Sequence, residues 1–160
     1  MIKILLLEIG VFIGLNRINN VNKEKNMSAK SDYLENKMVD LVLGSISFSS
    51  PATIYVALYT EAPNDAGGGT EVNGYGYERK DVTNNSTNWP NATGGVKSNG
   101  TAIEFAAASG GNWGTITHFA LFDALSAGNM LYYGPLTSSK VINDGDQARF
   151  AVGALTITED

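Results

Sequence analysis

The sequence predicts a mostly β protein, an antiparallel β-sandwich or jelly-roll-like barrel led by one N-terminal helix. Three observations carry that reading. The 18 glycines fall mostly in short clusters between apolar runs, the pattern of strands joined by tight turns. Helical periodicity occurs in one segment only, so a mixed α+β fold lacks its second helix. Hydrophobic residues make up 43% of the 160 and charged residues 17%, the balance of a packed globular chain.

In chain order, residues 1–26 differ in character from the rest of the chain. Their apolar run, Ile4–Leu15, holds Glu8 at its middle, is followed by no small-residue cleavage site, and is too short to span a bilayer. Lys23-Glu24 can be encoded as a ribosome-binding sequence a workable distance before Met27. The segment is therefore expected to be upstream translation, with Met27 the natural start of one domain over 27–160; an apolar arm docking on a neighbouring subunit is the alternative. Residues 27–160 hold seven of the 11 cations and 14 of the 16 anions, a net charge of −7.

"SDYLENKMVDLVLG" predicts a helix over 31–43. Ser31 is a good N-cap, and Asp32 and Glu35 sit in the first turn, where the helix dipole favours anions. Leu34, Met38, Leu41 and Val42 form one apolar stripe, and Gly44 is a natural stop. That stripe must be covered by the sheet or by another subunit. After Pro51 the period changes. "ATIYVALYT", "YGYERKDVT", "TAIEFAAA", "GTITHFALFDA", "NMLYYGPLT" and "ARFAVGALTITE" read as strands. The loop "EAPNDAGGGTEV", the polar connection 84–100 and the turns "LSAG" and "NDGD" separate them.

Composition excludes most chemistry. With no cysteine there are no disulfides, thiolate metal sites or cysteine nucleophiles, and one histidine cannot assemble an ordinary zinc site. The acidic balance argues against nucleic acid as the main partner. Strand alternation puts Ile116, His118, Ala120 and Phe122 on one face and Phe119, Leu121 and Asp123 on the other. His118 and Asp123 then form no dyad, no G-x-S-x-G elbow occurs, and His118 reads as a structural residue. "NDAGGGTE" lacks the ending of a phosphate cradle. Asp65 with Glu71, or Asp144 with Asp146, could in principle meet calcium, yet neither pair has the spaced ligands of a calcium loop. No catalytic residue, metal or cofactor is expected. Four N-x-S/T sequons, at Asn84, Asn85, Asn91 and Asn99, fall in or beside the polar connection and read as chance products of its composition.

The aromatic residues beside turns are the better lead. Tyr75, Trp89 and Tyr132 are candidate partner or ligand contacts, because rings at loop tips stack on sugars or anchor proteins. Trp113 is expected to cap the core, and Tyr77 to pack inward.

"PATIYVALYTEAPNDAGGGTEV", "GYGYERKDVT" and "NWGTITHFALFDALSAGNMLYYGPLTSSKVINDGDQARFAVGALTITED" resemble a family of small tailed-bacteriophage virion structural proteins. Its members are often labelled tail fibre-like and include capsid-associated proteins. The resemblance begins at the proposed start, covers nearly all of Ser28–Asp160, and is weakest over 82–101. It implies a scaffold on the exterior of the phage particle and brings no catalytic residues with it. Capsid decoration or cementing is the first expectation, because the chain is short for a whole fibre; a tail-fibre component stands close beside it. The partners implied are further copies of the chain and a major capsid or tail protein, with no nucleic acid and no membrane. Subunit contacts are expected at Leu34, Met38 and Leu41. The alternative is a carbohydrate-binding module that recognises a host surface glycan through Tyr75, Trp89 and Tyr132.

Overall fold

The computed structural model describes residues 28–44 and 46–159; the segment 1–26 and the proposed start at Met27 lie outside them. The fold is a β-sandwich with one N-terminal helix. Two residues of β1 (Ala29–Lys30) lead into α1 (Asp32–Val42). Ser31 caps that helix, its hydroxyl accepting from the Leu34 amide at 3.3 Å, and the C-cap Leu43 closes back on the Val39 carbonyl. Then come β2 (Thr53–Glu61), β3 (Thr70–Glu71), β4 (Lys80–Thr83), β5 (Val96–Ser98), β6 (Ile103–Ala107), β7 (Gly114–Phe122), β8 (Met130–Ile142), β9 (Gln147–Phe150) and β10 (Thr156–Thr158).

One large sheet runs β1-β8-β7-β2-β3, with β4 sharing the outer edge of β2, and every pairing is antiparallel. Two small ribbons, β5-β10 and β6-β9, form the opposing layer. The main core lies between them. Ile54, Val56 and Leu58 of β2 enter it from one face of the strand, while Ala57 and Tyr59 belong to a second, smaller cluster with Ala120, Phe122 and Met130 on the other face. Burial on both faces explains why β2 and β7 read as continuous apolar runs rather than alternating ones. Each large side chain removed from water here contributes about 1.5–3 kcal/mol. Tyr77, Phe105 and Trp113 add edge-on and stacked ring contacts, the closest at 5.3 Å between centroids.

Between β3 and β4 the edge ladder of β2 is interrupted, and side chains fill the gap. The Leu58 amide donates to the Tyr77 hydroxyl at 2.9 Å, and the Leu58 carbonyl accepts from the Val72 amide. This gap is why "YGYERKDVT" becomes a strand only from Lys80 onward. The predicted strand over 148–159 is likewise two strands, β9 and β10, which pair with different partners across a turn containing Gly153 at φ +75°.

The facing of β7 differs from simple alternation. Ile116 pairs Lys140, but His118 pairs Pro135, so the ladder shifts at Thr117. The irregularity reverses the parity of the strand. Ile116 therefore joins Phe119 and Leu121 in the main core, instead of sharing a face with His118 and Ala120.

Candidate functional site

Two ends of the sandwich carry the features that could meet a partner. The pairing of β2, β7 and β8 places Thr53, Phe122 and Met130 at one end and Glu61, Gly114 and Ile142 at the other. Nine-residue strands separate the ends by roughly 25–30 Å.

The first end belongs to α1. Ser31 ties the helix start to β8: its amide donates to the Leu131 carbonyl at 3.0 Å and its hydroxyl donates to the Met130 carbonyl. That attachment seats Leu34 in the core, where it is buried. Beyond the first turn the stripe leaves the sandwich. Met38 is 38% exposed and Leu41 42%, and Val39, Val42, Leu43 and Ile46 are exposed as well. Of the three predicted subunit contacts, Leu34 is thus a core residue facing its own sheet, and Met38 and Leu41 face outward. Under the helix runs an apolar cleft of about 340 Å³ whose walls include Leu34, Met38, Phe48 and Trp89.

Trp89 stands corrected as a surface contact. It is buried in the main core, and its indole nitrogen finds no hydrogen-bond partner among the described residues. The polar connection folds back on itself. Asn88 donates to the Thr83 carbonyl, and Thr101 donates to the Asn88 side chain. Gly100 passes so close that a Cβ there would lie 2.2 Å from the Thr87 carbonyl oxygen. Asn99, buried to 2% exposure, binds the Thr101 and Ala151 carbonyls through its side-chain nitrogen and the Leu155 amide through its oxygen. A sequon asparagine engaged in this way has no nitrogen to offer a glycan.

Tyr132 is half-buried at the same end. Its hydroxyl donates to Glu159 at 2.7 Å, and burial together with that carboxylate pushes its pKa up. It is a latch onto the C-terminal strand, not a ring displayed to solvent.

The middle of the molecule holds a charged brace. Arg79 donates to both oxygens of Glu71, at 2.8 and 2.7 Å, and to the Ala124 and Ala127 carbonyls. Its guanidinium lies 3.5 Å from the centre of the Phe122 ring. Burial works against the charge, but the Glu71 carboxylate overcomes it and the Arg79 pKa rises. Tyr77 donates to Glu71 as well, and its pKa is raised, chiefly by burial. This network locks the 71–79 segment and the 123–129 turn onto the sheet.

His118 is occupied with its neighbour. A ring nitrogen lies 2.8 Å from the Thr117 hydroxyl, and partial burial lowers the pKa of the imidazole. Asp123 accepts from the backbone and side chain of Asn129, both at 2.7 Å, and so closes the turn after β7. Asp65 accepts from the Tyr133 hydroxyl. Asp146 accepts from the amide and side chain of Asn143 within the "NDGD" turn. Among the described residues, no three His, Asp or Glu side chains converge as a metal site would require.

The second end is built around Tyr75. Its φ of +52° is left-handed, a conformation shared by only one other non-glycine residue among those described, Ala127. Gly74 and Gly76 on either side are left-handed too. The Tyr75 carbonyl is pinned by the Ser109 amide at 2.9 Å and the Trp113 indole N–H at 3.0 Å. Trp113 is buried, the core cap its sequence position suggested. Tyr75 stays 52% exposed, and its ring lies against Gly111, where a Cβ would come within 2.4 Å of it. Asn112 and Asp144 stand beside this shelf. The Asp144 amide donates to the Asn112 side chain at 2.8 Å, and the Gly110 amide to the Asp144 carboxylate at 2.9 Å. Sequence reasoning found Tyr75 but missed Asn112 and this use of Asp144, which converge from separate turns. The available signal was a tyrosine set between two glycines.

A family model described as Podophage GP4 fiber I protein gp80 matches residues 29–158. No curated protein matches the chain.

Proposed function

The chain belongs to the podophage GP4 fiber I protein gp80 family, a fibre family of the virion exterior, and from that membership we propose that it is a non-enzymatic structural part of a fibre. On this reading several copies associate through the helix end. The observation that carries the assembly role is the outward-facing stripe of α1, where Met38, Leu41 and Val42 are exposed, with Ile46 exposed just beyond the helix. Exposed large apolar side chains gathered in one place mark contact surfaces. A second copy is the natural occupant, because a symmetry axis brings the same stripe to meet itself. The family's description favours a fibre over capsid decoration. The engagement of His118 with Thr117 and of Asp123 with Asn129 supports the structural role that the sequence suggests for His118.

Quantitative mass spectrometry of purified virions tests this reading. A fibre component is expected at tens of copies per particle. A count on the order of hundreds would move it to the capsid lattice, where cement proteins repeat with the shell. Its absence from washed virions would end the structural reading.

A further inference from the structure

The Tyr75 end is shaped unlike the rest of the surface. Holding a tyrosine in the left-handed region is unfavourable, because Cβ crowds the backbone, and such strain collects where a side chain has a task. Glycine would fit this position without strain, and its neighbours Gly74 and Gly76 are glycines in just that region. The residue is not buried in return, since about half of it meets solvent. Two hydrogen bonds to its carbonyl, one from a buried tryptophan, hold the backbone so that the ring projects at the end of the sandwich.

What surrounds the ring narrows the partner. Gly111 lies against the ring, Asn112 follows it in the chain, and Asp144 is hydrogen-bonded to both Gly110 and Asn112; Asn112 and Asp144 are exposed. A protein partner of ordinary size needs a broad patch with several apolar anchors around a desolvated centre. Here there is one flat aromatic face with amide and carboxylate groups at its side. Asn112 and Asp144 use one polar atom each to shape the loops, and each has a second, the Asn112 amide nitrogen and the other Asp144 oxygen. One aromatic face matches the C–H face of a sugar ring, and those two atoms suit its hydroxyls.

We propose that this end is a sugar-binding tip, in which the Tyr75 ring stacks on a pyranose while Asn112 and Asp144 hydrogen-bond its hydroxyls. Asp144 and the acidic body of the protein select a neutral sugar over a uronic or sialic acid. Affinity per copy is weak, and a fibre that presents several tips converts it into firm attachment. The role in attachment rests on the exterior position proposed above; binding of the sugar itself does not.

The test uses the full chain and NMR titration with methyl glucoside, methyl galactoside, methyl N-acetylglucosaminide and methyl glucuronide, each raised to tens of millimolar. At least one neutral glycoside is expected to move the Tyr75 ring resonances in a saturable way, and the glucuronide is not. Tyr75→Gly is expected to weaken that binding at least tenfold, while its Tm holds or rises by about 1–4 °C as strain is relieved. Ala127→Gly, which relieves the same backbone strain away from the tip, is expected to leave sugar binding unchanged. If no neutral glycoside perturbs Tyr75, or if Tyr75→Gly binds as well as the parent, the proposal is overturned. Should Tyr75→Gly lower the Tm, Tyr75→Leu replaces it, and sugar binding retained by that variant overturns the stacking role. Sugar binding by a protein absent from virions would sink the structural reading and leave the tip standing. A virion protein that binds no sugar would do the reverse.

Discussion

At one end of this molecule a regular helix exposes a row of apolar side chains; at the other, a strained loop exposes a single aromatic ring among polar groups. The helix end reaches its geometry cheaply. Ser31 caps α1, Leu34 anchors it, and the remaining stripe follows from helical periodicity alone. Among the described residues of α1 and its caps, no non-glycine residue has a positive φ, so the exposed apolar surface is itself the unusual feature. The Tyr75 end is the opposite case, with little apolar area and a backbone set against its own preference by non-local hydrogen bonds. A broad apolar stripe suits a partner of the same kind. A single rigid ring suits a small, flat ligand. That difference is the ground for proposing assembly at one end and recognition at the other.

The largest effect is expected at the helix anchor. Leu34→Ala removes a buried side chain that joins α1 to the core, at a cost of about 2–4 kcal/mol in urea unfolding. Hydrogen exchange should then show the amides of α1 losing protection while those of β2 and β7 keep theirs. Equal loss in both would mean that the helix end is not a separable unit.

A smaller stability effect with a larger consequence for assembly is expected from Met38→Lys combined with Leu41→Lys. Both residues are more than a third exposed and neither belongs to the core, so the fold should lose no more than about 1 kcal/mol across the pair. The mass by light scattering should fall to that of one chain, against an oligomer for the parent. A parent that is itself a single chain, or a double variant that stays associated, would show that the stripe is not where copies meet. Tyr75 should respond to glycosides identically in both proteins, which keeps the two ends independent.

What could be read from the sequence depends on how local each determinant is. The helix, its cap and the long strands were legible because periodicity, a serine and β-branched runs act over a few residues. The burial of Trp89 was not. The segment around it is polar in composition and folds inward because Asn88 bonds back to the Thr83 carbonyl and Asn99 finds backbone partners on the distant residues Ala151 and Leu155. The register shift between Ile116 and His118 was hidden for a similar reason: it is set against β8, where residues 136–139 stand opposite Thr117, and nothing within "GTITHFALF" signals it. The split between β9 and β10 hides in a continuous mildly apolar run, and β5 is too short and polar to stand out. Of the candidate contacts, the structure keeps Tyr75, Met38 and Leu41 at the surface, and turns Trp89 and Leu34 inward.

The smallest effect concerns pH, and it separates the two ends once more. Tyr133 donates to Asp65, whose carbonyl accepts from the Asp32 amide at the first residue of α1. Burial, then the Asp65 carboxylate, pushes the Tyr133 pKa up to about 12 from an ordinary 10.0, and burial does the same for Tyr59. Above pH 10 the unfolded chain releases protons that the folded chain still holds on these two groups. The folded state therefore binds more protons, and stability falls as pH rises through the window from about 10 to about 12. Because Tyr133 is bound to the loop that receives the helix start, α1 should loosen in that window before the Tyr75 end does. Far-UV circular dichroism against pH should show helical signal leaving ahead of the tertiary signal of Trp113. Tyr133→Phe, which cannot ionise, should shift the helical loss to higher pH, and an unchanged helical midpoint in that variant would detach Tyr133 from the stability of the helix end.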